Sequence, residues 1–162
     1  MSGVNVAILP SVIIERARKE AKKLGVSLEE YHLELISRNL DPKSRAVEYI
    51  KVSEELLEQA RDELKRDNVR QAAEKVWGAT ALAVKAYAYW REGKRLASHG
   101  EMWEYIEVLA SDIGEWVRDA WYAGNAMHIC FYEGWCKPSQ VEAAIRHVEK
   151  LVREAKAKLS GD

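Results

Sequence analysis

The stretch from Val69 to Glu92 holds no proline and a single glycine, and its apolar residues recur on nearly every side of a helix. Ala72, Ala73, Val76, Trp77, Ala79, Ala83, Val84, Tyr87 and Trp90 together cover most of the circumference. A helix apolar nearly all round is stable only when other elements surround it. This segment therefore predicts the central helix of a bundle.

The flanking segments carry the same period. Ser11 opens a helical pattern through Val12, Ile13, Ala17, Ala21 and Leu24, with Gly25 placed as a C-cap. Ser27 and Glu30 have capping-box spacing before a second helix, Leu28 to about Asn39, with Tyr31, Leu35 and Ile36 on one side. Asp41-Pro42 starts a third helix running to about Arg66, its apolar side Val47, Ile50, Leu57, Ala60 and Leu64. From Met102 to Phe131 one period runs almost unbroken, and the Ser111, Asp112 and Glu115 grouping predicts a capped break inside it. Pro138 opens the last helix, whose stripe is Val141, Ile145, Val148, Val152, Ala155 and Leu159.

Only 3 Pro and 9 Gly in 162 residues argue against sandwiches, barrels and disordered tracts. The net charge of −1 excludes a nucleic-acid binder that works through its overall field. No run is long enough for a membrane helix, and no leader pattern stands at the N-terminus, so a cytoplasmic protein is expected. The reading is all-α, an up-and-down bundle over residues 46–162 preceded by a helical hairpin over residues 1–45, itself led by a short strand or an extended segment.

Two groups of polar residues interrupt buried helical faces. Glu74, Gly78 and Lys85 fall on one line of the fourth helix, since eleven residues make almost three turns. The glycine there costs about 1 kcal/mol against alanine. It is explained either by close approach of a backbone or ligand between the two charges, or by a plain solvated stripe. The second group is Arg118, Trp121, Asn125, His128 and Tyr132, with Glu133 just beyond. Asn125 and Tyr132 each lie one turn from His128, so an imidazole held in one tautomer can serve as acid or base. The competing reading is a hydrogen-bonded core or interface histidine.

Asp67 with Gln71-Ala72-Ala73-Glu74-Lys75-Val76-Trp77-Gly78-Ala79 resembles the signature of the archaeal PaREP family. So does the run from His128 through Phe131, Tyr132, Glu133 and Gly134 to Trp135, while Leu9-Pro10 and Leu40-Asp41-Pro42 match that family's layout. The resemblance implies a HEPN-like helical bundle, related to the C-terminal domain of kanamycin nucleotidyltransferase and often dimeric. Some HEPN-like proteins are metal-independent ribonucleases, with an arginine, a polar residue after it, and a histidine four to six residues on. This chain departs from that motif. Asp119 follows Arg118, but nine residues separate Arg118 from His128, about 15 Å of helix axis. Only a composite site at a dimer interface would bring the two together.

The remaining chemistry is sparse. His32, His99, His128 and His147 show no metal-ligand spacing, and no metal or cofactor is expected. Glu101 and Glu104 beside His99 suit the first turn of a helix. Cys130 and Cys136 approach only if the helix ends at Glu133; two free thiols are expected, although disulfides occur inside hyperthermophile cells. Extended segment, helix, Gly25, helix is the order of ribbon-helix-helix repressors, whose paired strands read the major groove. Residues 1–45 carry 8 Lys/Arg against 6 Asp/Glu, and Asn5 alone offers a base-reading side chain, so a hairpin docked on the bundle is preferred. The expected role is a self-associating, non-catalytic or degenerate HEPN-like interaction module, a homodimer. The alternative is a nucleotide- or RNA-binding protein or ribonuclease. Catalytic candidates are His128, Asn125, Arg118 and Tyr132; ligand-binding candidates are Glu74, Lys85, Gly78 and Glu133.

Overall fold

The structure, a computed structural model, describes residues 5–161. Seven helices lie among the described residues: α1 (Ser11–Leu24), α2 (Leu28–Ile36), α3 (Pro42–Lys65), α4 (Val69–Glu92), α5 (His99–Ile113), α6 (Trp116–Glu133) and α7 (Pro138–Leu159). No strand occurs among these residues, and no helix is long and apolar enough to cross a membrane. The chain divides into two units, Met1–Asn39 and Leu40–Asp162. The division falls just before Asp41, whose carboxylate accepts the Ser44 amide and starts α3.

The first unit is an extended segment and a helical pair. The Pro10 carbonyl accepts the amides of Ile13 and Ile14, and α1 ends at Gly25, whose φ of +67° is the left-handed conformation a C-cap requires. Ser27 then accepts the Glu30 amide and caps α2. The apolar residues of this unit are placed differently from the sequence expectation. Ala17, Ala21 and Leu33 are buried, whereas Val12, Ile13, Leu24, Leu35 and Ile36 are exposed. Within its own unit this apolar set is therefore left uncovered.

The second unit is the bundle, and α4 is its axis. From Ala79 to Tyr89 every α4 residue is buried, as its apolar circumference demanded. α3 runs antiparallel to it, with the Ser53 hydroxyl donating to the Ala79 carbonyl at 2.6 Å and Tyr49 packed edge-on to Tyr89. Its buried side is Ala46, Tyr49, Ile50, Ser53, Leu56, Leu57 and Ala60; Val47, counted above as apolar core, is exposed. α7 closes the bundle against α3, α4 and α6. Lys156–Glu54 and Arg61–Glu149 ion pairs, at 2.7 and 2.8 Å, mark its antiparallel pairing with α3.

The chain then departs from simple alternation. After Gly93 an extended strap with buried Leu96 leads into α5, which runs alongside α4 in the same direction. His99 at the start of α5 meets Trp77, while Asp112 near its end accepts from Tyr87. Ser98 and Glu101 cap α5 reciprocally, so the acid in the first turn is a capping-box member. The break expected near residues 111–115 is present, but a capping box does not make it. Asp112 is taken by Tyr87 and Arg91, and α5 stops at Gly114, whose φ of +141° favours glycine.

Candidate functional site

The site is set by the crossing of α4 and α6. A Cβ built at Gly124 would overlap the Thr80 side chain, which is itself tied to the Val76 carbonyl at 2.7 Å. Only glycine allows the two helices to approach this closely. Since they are antiparallel, residues before Thr80 on α4 meet residues after Gly124 on α6. Glu74 and His128 meet in this way, with Nδ1 of the ring 3.4 Å from a Glu74 carboxylate oxygen.

His99 joins them from α5, its ring centroid 5.5 Å from that of His128. Trp77 packs against both, at 5.0 Å from His99 and 4.9 Å from His128. Tyr132, 68% exposed, lies edge-on to His128 at 5.1 Å. Behind this layer Trp121 is fully buried, 5.4 Å from both Trp77 and Trp103, with its indole N–H lacking a hydrogen-bond partner.

Electrostatics decide the state of the imidazole. Burial lowers the His128 pKa below its usual 6.5, and the charge that His99 carries when protonated lowers it further. His128 is therefore neutral at pH 7. A carboxylate can only accept a hydrogen bond, so Nδ1 carries the hydrogen towards Glu74 and Nε2 keeps its lone pair. This is an acid–base group with its tautomer selected. Among the described residues no group of three or more His, Cys, Asp or Glu side chains is placed to hold a metal ion.

The end of α6 is held in three ways. Arg70 of α4 donates to the carbonyls of Phe131, at 2.9 and 2.7 Å, and Tyr132, at 3.2 Å. Gly134 turns the chain with φ +72°. Cys130 and Cys136 form a disulfide, which corrects the expectation of two free thiols. Because the helix stops at Glu133, the Gly134 turn folds the chain back and brings their Cα atoms within 5.7 Å.

The other sequence candidates lie elsewhere. Arg118 is gripped by Glu107 of α5 through two contacts of 3.0 and 2.6 Å, and lies about 15 Å of helix axis from His128. Asn125 is half-buried one turn before His128, and exposed Glu133 accepts the Trp135 indole N–H at 2.9 Å. Gly78 faces α3, where an added Cβ would stand 3.1 Å from the Leu56 Cδ1. Lys85 is buried, about 16 Å along the α4 axis from Glu74. Glu74, Gly78 and Lys85 thus lie on one helix without forming one site.

The profile of the archaeal PaREP1/PaREP8 family matches residues 48–152, well over half of the chain. The chain belongs to that family. No curated protein and no solved structure matches it. In this PaREP family bundle the matched span contains every member of the cluster: Glu74, Trp77, His99, His128 and Tyr132. Glu74, His128 and Tyr132 are visible as candidates in the sequence, with Glu74 and His128 in separate groups. His99 was set aside for want of metal spacing, and Trp77 was read as core. The parallel course of α5 beside α4 unites them, and no spacing within the sequence reveals it.

Proposed function

We propose that this PaREP family bundle binds a phosphorylated ligand, a nucleotide or a short segment of RNA, on the face formed by α4, α5 and α6. The observation that carries this reading is the convergence of Glu74, His99 and His128 from three helices beside Trp77 and an exposed Tyr132. The α5 N-terminus, beginning at His99, lies next to the pair, with the Glu101 carboxylate already capping it. Tyr132 offers an exposed ring on which a base can stack. His128, oriented by Glu74, can exchange a proton with the ligand. The HEPN-like resemblance supports such a ligand by analogy of fold, although Arg118 stands outside the cluster.

The test is a titration followed by tryptophan fluorescence, with a panel of nucleoside phosphates and a mixed RNA pool. Saturable binding that weakens at least tenfold in His128→Ala is expected. Silence at millimolar ligand with every member of the panel rejects the reading. The same samples scored for new RNA ends settle turnover: cleavage lost in His128→Ala makes the face catalytic, and intact RNA leaves it a binding surface.

A non-catalytic interaction module is the second reading, and one observation favours it. Trp103 and Tyr122 stack 5.8 Å apart at 42% and 50% exposure, with Ile129 at 43% two turns along α6. Exposed apolar side chains in contact are a feature of protein interfaces. Under this reading ligand titrations are silent and Ile129→Lys changes the association state.

A further inference from the structure

We infer that residues 5–36 are half of a module completed by a second copy of this chain, the two extended segments pairing antiparallel as a ribbon and the helices packing about its two-fold axis. The inference goes beyond the ligand reading and rests on different residues.

Among the described residues the extended segment pairs with no strand. Residues 5–10 form no ladder, and each is exposed, Val6 at 83% and Ile8 at 95%. Alternation sets Val6 and Ile8 on one side, with Asn5 and Ala7 on the other. An unpaired extended edge with a row of β-branched side chains is a template for another strand. Pro10 then stops the segment and starts α1 without a gap, so strand and helix are set together.

The helices have the same deficit. Val12, Ile13, Leu24, Leu35 and Ile36 are exposed, while only Ala17, Ala21 and Leu33 supply a buried apolar core. A unit this small does not hold its own fold without a further source of stability, and oligomerisation is one. With Val6, Ile8 and Leu9 the exposed apolar side chains amount to roughly 800 Å² per copy, about what one partner contributes to a standard interface.

A second copy is the occupant because the deficits are self-complementary. A strand lacks a strand, and apolar helix flanks lack apolar flanks, which is what an isologous two-fold interface supplies. Charge points the same way. Residues 1–39 carry six Lys/Arg against five Asp/Glu, so two copies do not repel, and no basic field draws a nucleic acid or an anionic membrane to cover the face. The element order is that of ribbon-helix-helix dimers.

The experiment uses the full chain. Light scattering at tens of micromolar should give a dimer, and Val6→Lys/Ile8→Lys should give a monomer with unchanged helicity in the bundle. Val6→Cys, Ala7→Cys and Ile8→Cys are then oxidised one at a time. In an antiparallel ribbon the position nearest the two-fold axis faces its own copy at a Cα separation within disulfide range. One of the three should give a covalent dimer, whereas wild type, whose cysteines pair within the chain, should not. A monomeric wild type overturns the proposal, and a monomer that sediments with anionic vesicles or shifts duplex DNA assigns the face to that partner instead. A dimer that survives Val6→Lys/Ile8→Lys and dissociates with Ile129→Lys overturns it in favour of the bundle face.

Discussion

His128 is placed so that its protonation is coupled to folding. Its folded pKa lies below the ordinary 6.5 because burial disfavours the imidazolium and His99 adds a like charge. As pH falls, the unfolded chain takes up this proton before the folded one does. The folded state is thus fully favoured above about 6.5 and loses stability as pH falls towards the lowered folded value. The melting temperature should drop between pH 7 and pH 5, and the drop should be shallower in His128→Gln. A second variant isolates the cause: His99→Gln removes the like charge and should raise the His128 pKa, read from its ring proton shifts. An unchanged or lower value would show that His99 has no part in the shift.

At the level of elements, two close contacts position the site, and neither is readable from the sequence. Gly78, standing between Glu74 and Lys85, is open from the sequence to either close approach or a solvated stripe. The glycine that lets α4 meet α6 is Gly124, an unremarked member of a long apolar period, since what makes it necessary is Thr80 on another helix. Gly124→Leu should lose about 1–3 kcal/mol in denaturant melts through overpacking. Thr80→Gly in the same chain should recover part of that loss, a coupling that independent sites do not show. The end of α6 makes the same point. Cys130 and Cys136 are six apart, and whether they meet depends on the helix stopping at Glu133 and turning at Gly134. Removing this short cross-link with Cys136→Ser should lower stability by about 2 kcal/mol on the chain-entropy argument. A variant as stable as wild type would show that Arg70 and Gly134 hold the helix end without it.

For the whole molecule, the boundaries of α1, α4 and α7 were legible because each is bounded by a proline, a glycine or a cap, and α4 declared its central place by its composition. The parallel course of α5 beside α4 was not legible, since nothing local says that the strap from Gly93 to Ser98 returns the chain towards the start of α4 before the next helix begins. The compact units divide between Asn39 and Leu40, and Asp41 and Pro42 begin α3. That division carries a consequence for stability. The buried apolar side chains from Ala46 to Ala155 all belong to α3–α7 and the strap, and α4 is enclosed by helices of its own unit. A fragment spanning residues 40–162 should therefore unfold in one cooperative transition and retain the tryptophan fluorescence of the Trp77–Trp121 cluster. If residues 5–36 form the dimer ribbon, this fragment should also be monomeric where the full chain is dimeric. A fragment with native ellipticity, no cooperative transition and exposed tryptophans would mean that the bundle core is incomplete without the first unit, and the two units would have to be treated as one.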